Sequence, residues 1–393
     1  MNPNTPVITS GARTAIGTFM GSLASVPAPA LAAHVLKANL DKSNVEANEV
    51  DEVILGQVLQ GGAGQAPARQ AALFAGIPDT VSAWTVNKVC SSGLRAIMSA
   101  AQSIALGEAK IMLAGGMENM SLAPYILDRA RSGYRLGNGS INDLMITDGL
   151  WDPHNNIHMG SCAEKCAREH KISREEQDEF AAESYRRAIS AQKDGKFKNE
   201  IVPVVIKGKK GEVSIEVDEE PPNVNFEKMS QLKPAFEKDG TITAANASKI
   251  NDGASAVMMM SFEEAHRRGL KPLARVVGYT TYSHEPVWFA TAPAPAVQKL
   301  LRRIDWKVSD VDLFELNEAF AVVGLYNMKQ IGASADKVNV WGGAVALGHP
   351  IGSSGCRIVV TLLHALRDRG AKRGVVGICN GGGEATALAV EML

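Results

Sequence analysis

Four short polar motifs carry the residue types that could do chemistry: Val89-Cys90-Ser91-Ser92-Gly93, Asn317-Glu318-Ala319-Phe320, Gly348-His349-Pro350-Ile351-Gly352 and Cys379-Asn380-Gly381-Gly382-Gly383. A histidine beside a cysteine is the recurring means of raising thiolate content. A second cysteine can move a proton, and glycine-rich turns offer bare backbone N–H groups to an oxyanion. His349 lies between Gly348 and Pro350, in a rigid loop and not on an apolar helix face, which favours a chemical role over that of a satisfied core histidine. Cys90 precedes Leu94, Ile97, Met98, Ala101 and Ile104, which recur at helical spacing. That puts the thiol at a helix N-terminus, where unpaired N–H groups lower its pKa. By itself the stretch fits a buried structural cysteine better than a reactive one.

These motifs need strands and helices to present them. A short strand at Val7 and Ile8 precedes an alanine-rich helix from about Pro29 to Leu40, a strand over Asp51–Leu59 and a helix over Gln65–Phe74. The Cys90 strand and helix come next, then an apolar strand over Lys110–Asn119. Strand, helix, strand in succession predicts α/β architecture with a mostly parallel sheet. The C-terminal third repeats the order. Pro29-Ala30 is echoed by Pro295-Ala296, Val50–Leu55 by Val311–Leu316, Ser91-Ser92-Gly93 by Ser353-Ser354-Gly355, and Ala109–Gly116 by Lys372–Gly383. Ordered echoes at one period imply a duplicated α/β half. If so, the four motifs end strands at the crevice where open α/β sheets put their sites.

Between the halves the grammar changes. Ser173 with Glu176 is a capping box opening a helix that ends at Gly195, and Ile201–Val217 is a hairpin around Gly-Lys-Lys-Gly. The expected division is 1–120 plus about 250–270 for the N-terminal half, 121–249 for an inserted cap, and 271–393 for the C-terminal half.

The chain has 393 residues, 45% of them hydrophobic, with 37 glycines and a formal net charge of −1. That balance leaves no basic footprint for nucleic acid or an anionic membrane. Five cysteines at irregular spacing argue for reduced thiols. With no leader pattern and no stretch approaching a membrane span, the expectation is a cytoplasmic protein.

The whole chain resembles the thiolases, and most of all their short-chain acetyl-CoA acetyltransferase branch. The likeness runs through RTAIG (13–17), VNKVCSSG (86–93), GGMENMS (115–121), HMGSCAE (158–164), TAANASKINDGAS (243–255), NEAFA (317–321), GGAVALGHPIGSSG (342–355) and CNGGGE (379–384). It implies a five-layered αβαβα core of duplicated halves with an inserted loop domain. It also implies interconversion of two acetyl-CoA with acetoacetyl-CoA and CoA. Cys90 matches the nucleophile that carries the acetyl group. His349 matches the group that activates that thiol and points at the thioester oxygen, and Cys379 matches the acid/base. Asn317 matches the holder of a water completing one oxyanion hole with His349, and the N–H groups of Cys90 and Gly381 match the other.

For coenzyme A, which is a co-substrate and not a bound cofactor, Ser248 matches a contact to the pantetheine arm and Lys228 a basic residue near the nucleotide. Asn223 stands where related sequences usually present an arginine. His158, Met159 and Phe289 match the acyl-pocket lining. Some members hold a potassium ion, whose surroundings match Tyr185, Ala244, Ala245, Ala247 and Val345. The segment Tyr134–Asn142 resembles the loop through which a homotetramer, a dimer of dimers, assembles. Two competing functions stand beside this one: a broad-chain 3-ketoacyl-CoA thiolase, and a thiolase-fold acyl-CoA or lipid binder without turnover.

Other features are read as structural. Cys162, Cys166 and His170 spread over two helical turns make a poor tetrahedral metal site. The loop Gly61–Ala68 lacks the spacing of a dinucleotide loop, and Lys207, Lys209 and Lys210 belong to a solvated hairpin tip.

Overall fold

Proline and glycine mark where the helices begin and end. In the computed structural model, which describes residues 1–208 and 211–393, β1 (Pro6–Thr14) leads to α1 (Ala28–Ser43). Pro29 sits in the first turn of α1, where its missing N–H costs nothing, and Asn44 closes the helix in the left-handed conformation. There follow β2 (Glu52–Gly56), α2 (Pro67–Phe74), β3 (Ser82–Val86), α3 (Ser92–Leu106, stopped by Gly107) and β4 (Ile111–Asn119). The expected strand over Asp51–Leu59 is shorter because the chain turns after Gly56, and the Val58 and Leu59 N–H groups donate to the Glu118 carboxylate.

Residues after β4 hold α4 (Met159–Glu169) and α5 (Arg174–Lys193), the latter opened by the Ser173–Glu176 capping box. The strands Val204–Gly208 and Gly211–Ile215 pair antiparallel, and the tip with Lys209 and Lys210 lies outside the described residues. This region rests on the second half, α4 against residues 286–291 and α5 against residues 344–347. It is tied to the first half by a buried ion cluster. The Arg13 guanidinium donates to both oxygens of Asp218, at 2.7 and 2.9 Å, and to Glu200. Burying such charges is tolerable only because each is paired.

The chain then returns as β5 (Asn251–Ser261) and continues through β6 (Ala274–Ser283), α6 (Pro293–Arg303), β7 (Leu313–Leu316), α7 (Ala321–Ile331), α8 (Ile351–Arg369), β8 (Arg373–Asn380) and β9 (Glu384–Met392). The first half-sheet runs β3-β2-β4-β5-β1, parallel through β4 and antiparallel on both sides of β5. The second runs β7-β8-β9-β6 with the same senses. The sheet is therefore mixed, with more antiparallel than parallel pairs among these strands, and not mostly parallel as the strand–helix–strand order predicted. Where β3 would fall in the second copy, a single parallel bridge joins Phe314 to Val338. The duplication read from the sequence echoes is therefore a repeat of topology. The two copies are joined edge to edge by an antiparallel contact of Val7 and Ile8 with Arg275 and Ala274.

Five layers result. α1 and α2 cover the outer face of the first half-sheet, α6 with α7 covers the second, and α3 and α8 pack on each other between the two. A helix enclosed on all sides must be apolar or small all round. Nearly all of α8 from Ile351 to Leu366 is buried, and Ile358, Val359, Val360 and Leu362 each contribute about 1.5–3 kcal/mol by leaving water.

Candidate active site

The Cys90 turn is held by its own backbone. After β3 the chain reaches Val89 with φ of 47°, a conformation a β-branched residue adopts only when its surroundings force it. Ser92 supplies the force, since its hydroxyl donates to the Val89 carbonyl at 2.6 Å and accepts from the Lys88 N–H at 2.8 Å. Cys90 thus emerges just before α3. Ser91 donates to the Asn380 side-chain oxygen at 2.8 Å, and Lys88 pairs with Glu384, so the first half's turn is bolted to the β8–β9 turn of the second.

The backbone N–H groups of Gly381 and of Cys90 itself point at the thiol. They do not depress its pKa as the helix-start argument expects. Burial outweighs both and pushes the thiol up to about 12, with the Glu118 carboxylate opposing ionisation further. At neutral pH the Cys90 side chain is therefore a protonated thiol.

His349 is the candidate base. Its Nδ1 lies 2.6 Å from the Ser354 hydroxyl, and that hydroxyl spends its single hydrogen on the Pro350 carbonyl at 2.9 Å. Ser354 can then only accept, which assigns the proton to Nδ1 and the lone pair to Nε2. Nε2 is buried with no hydrogen-bond partner among the described residues. Burial, reinforced by the Arg357 charge, takes the imidazole from 6.5 down to about 3, so it is neutral at physiological pH. The His349 N–H donates to Asn251 Oδ1 at 2.8 Å. Two residues on, Ile351 packs in the same apolar cluster as Cys90. Glu118, at the end of β4, accepts the Gly352 N–H at 2.9 Å and anchors the start of α8.

Cys379 ends β8, fully buried, in a cluster with Met159, Phe289 and Phe320. Burial first, then the neighbouring Cys90, raises its thiol pKa well above the ordinary value. Asn317 follows β7 and donates its backbone N–H to Gly377 at 2.9 Å, yet both polar atoms of its side chain are buried without a partner among the described residues. An uncompensated buried amide costs about 1–3 kcal/mol, so an orphan of this kind marks a place for something not in the chain. A Cβ at Gly381 would lie 3.5 Å from Val89 Cγ1 and 3.9 Å from the Met159 sulfur, which sets the Gly381 turn against both.

The remaining sequence candidates fall into two groups. His158 caps α4, its Nδ1 accepting the Gly160 N–H at 2.9 Å, and its ring stacks on Phe236 with centroids 4.8 Å apart. Phe289 stands edge-on to Phe320, and Ser248 donates its backbone N–H to the Ala319 carbonyl at 3.0 Å. These lie around the Cys379 cluster. Lys228 and Asn223, in contrast, occupy exposed surface turns, with the Asn223 side chain spent on the Glu219 carbonyl. Of the residues set aside, Cys162 and Cys166 are buried in α4, and the His170 ring packs on Tyr326 at 4.4 Å.

Tyr185, Ala245 and Val345 share one core cluster beside the loop of Ala244 and Ala247, so the residues matched to a potassium ion do converge. They do not fit that ion as they stand. The Lys249 ammonium donates to the Ala244 carbonyl at 2.6 Å and to that of Ala247 at 2.9 Å, and lies 5.7 Å from the centre of the Tyr185 ring.

Sequence reasoning missed four supporting residues: Ser354, Glu118, Asn251 and Lys249. Only Ser354 left a signal, as the counterpart of Ser92 in the repeat.

Residues 6–263 match the family described as thiolase, N-terminal domain, and residues 270–392 match thiolase, C-terminal domain. This chain belongs to the thiolase family. Among relatives of this thiolase are the acetyl-CoA acetyltransferase of Cupriavidus necator, 53% identical over 98% of each chain, and the probable acetyl-CoA acetyltransferase of Dictyostelium discoideum, 51% identical over 100% of this chain and 95% of that one. The crystal structure of the Bacillus anthracis acetyl-CoA acetyltransferase superposes with a TM-score of 0.97 at 46% identity, covering 99% of both chains. No described helix of the thiolase is long and apolar enough to cross a membrane.

Proposed function

We propose that this thiolase interconverts two acetyl-CoA with acetoacetyl-CoA and CoA through an acetyl-Cys90 thioester. The observation that carries the reading is the buried Nε2 of His349, which has no hydrogen-bond partner among the described residues, on the loop whose Ile351 packs with Cys90. In the condensation direction, Nε2 takes the Cys90 proton as the sulfur bonds to the acetyl carbon. The oxyanion is met by the N–H groups of Cys90 and Gly381. The carbon–sulfur bond to CoA breaks, and Cys379 gives its proton to the leaving thiolate. Cys379 is then the base that removes the α-proton of the second acetyl-CoA. The enolate oxygen faces the imidazolium Nε2–H and a water held by Asn317, whose two free amide atoms suit that task. The enolate carbon attacks acetyl-Cys90, the thioester bond breaks, and His349 returns the proton to Cys90. Every proton is accounted for, and the charges arise in pairs, imidazolium with thiolate.

Ser248, Lys228, His158, Met159 and Phe289 are the proposed contacts to CoA and the acyl group. The aromatic wall of Phe236, Phe289 and Phe320 around Cys379 supports a short acyl chain over a long one. Five free thiols support a reducing, cytoplasm-like compartment. The exposed loop with Leu136 and Ile141 supports assembly to a homotetramer, which light scattering would test.

The deciding experiment is single-turnover acetylation with labelled acetyl-CoA followed by a chain-length profile. Label on the wild type but not on Cys90→Ala, with acetoacetyl-CoA preferred over longer 3-ketoacyl-CoA, is the expected result. Absence of label would leave a non-catalytic binder, and preference for the longer substrates would make the protein a broad-chain thiolase.

A further inference from the structure

Lys249 is half-buried, charged and unused by the mechanism above. Its ammonium occupies the concave side of the Ala244–Ala247 loop, bonded to two main-chain carbonyls and facing the Tyr185 ring. Carbonyl oxygens of one loop converging on one point make a cation cradle, and this one, formed by Ala244 and Ala247, is filled from within the chain. Burial lowers the Lys249 pKa to about 8, opposed by the Glu220 carboxylate, which leaves the group mostly charged at neutral pH.

We infer that Lys249 is a tethered cation that takes the place of a monovalent metal ion in this loop, and that this thiolase needs no potassium to order its substrate side. A compact ammonium carries the same single charge as the ion and satisfies the same carbonyls. Being covalently attached, it cannot dissociate.

The loop it holds is connected to the segment after Asn317 and to the loop of His349. Asn246 and Ser248 pair with Ala321 and Ala319, just beyond Asn317. Two residues after Lys249, Asn251 accepts the His349 N–H and donates to Glu220 at 3.0 Å and to the Gly17 carbonyl at 2.9 Å. Fixing Ala244 and Ala247 therefore positions both the Ser248 segment and the loop of His349. Lys249 is a positioning residue, with no contact to reacting atoms.

The inference rests on the acetyl-CoA reading only for its kinetic arm, so the test has a second arm without turnover. Wild type, Lys249→Ser and Lys249→Met are compared in potassium, sodium and choline chlorides at constant ionic strength. Melting temperature, thallium(I) binding by NMR, and kcat/KM for acetoacetyl-CoA thiolysis are read out. The wild type should show no potassium response in any of the three. Lys249→Ser, which empties the cradle, should bind thallium saturably and melt higher in potassium than in choline. Its kcat/KM should fall about tenfold in choline, the loss of a charged hydrogen bond, and recover in potassium. Lys249→Met, which removes the charge and keeps the bulk, should lose activity without recovery. Potassium activation of the wild type, or Lys249→Ser without any thallium or melting response, would overturn the inference. Normal melting responses with no thiolysis would count against the acetyl-CoA reading alone.

Discussion

Gly93 and Gly355 meet reciprocally at the centre of the molecule. A Cβ on Gly93 would lie 2.8 Å from the backbone nitrogen of Cys356, the residue after Gly355, and a Cβ on Gly355 would lie 2.5 Å from that of Leu94, the residue after Gly93. The pair is the pseudo-twofold of the duplication made visible in two atoms. It lets the first turns of α3 and α8 touch backbone to backbone, and these are the turns that follow Cys90 and His349. Either side chain would push the helices apart. Gly93→Ala and Gly355→Ala should each cost about 1–3 kcal/mol in urea unfolding, and the double variant less than their sum, because one separation relieves both clashes.

Ser354 sets the tautomer of His349. In Ser354→Ala the Nδ1 proton loses its acceptor, and the tautomer with the proton on Nε2 becomes accessible. The rate of Cys90 acetylation should fall by about ten- to a hundredfold, general-base catalysis itself being worth about 10²–10⁴. Ser354→Thr, which keeps the hydroxyl, should restore most of it. A merely structural role for Ser354 would instead lower stability and leave the per-site acetylation rate intact.

In the proposed mechanism Asn317 and the Gly381 N–H serve different charges. Asn317→Ala should leave single-turnover acetylation near the wild-type rate and slow condensation by about 10²–10³, the usual worth of an oxyanion donor. Equal loss in both half-reactions would mean that the two oxyanion sites are not separate.

Acid should destabilise the protein through His349. The unfolded imidazole titrates near 6.5 and the folded one near 3, so between these values the unfolded chain binds more protons. Stability from this group is complete above about pH 6.5 and is lost as pH falls towards 3. The urea midpoint of the wild type should decline over that window more steeply than that of His349→Asn.

The sequence alone determined the α/β class and the duplication, and it nominated the candidate reactive residues. Strand and helix periods, prolines at helix starts and the echo of Ser91-Ser92-Gly93 in Ser353-Ser354-Gly355 are local signals, written within a few residues of each other. What it could not supply are quantities set by residues far apart in the chain. Helix-start logic predicted a depressed Cys90 pKa, but the half-buried Cys90 packs against residues of the opposite half such as Ile351, so desolvation prevails. Arg13 was a letter in a motif until Glu200 and Asp218 closed on it from the inserted region. Lys249 stood in a recognisable stretch with nothing to mark it, because a carbonyl leaves no trace in a residue's name. Its aim at Ala244 and Ala247 exists only once the loop has folded around the ammonium against Tyr185. Local spacing decides which groups are present, whereas burial and charge, summed over contacts between distant segments, decide which of them hold a proton.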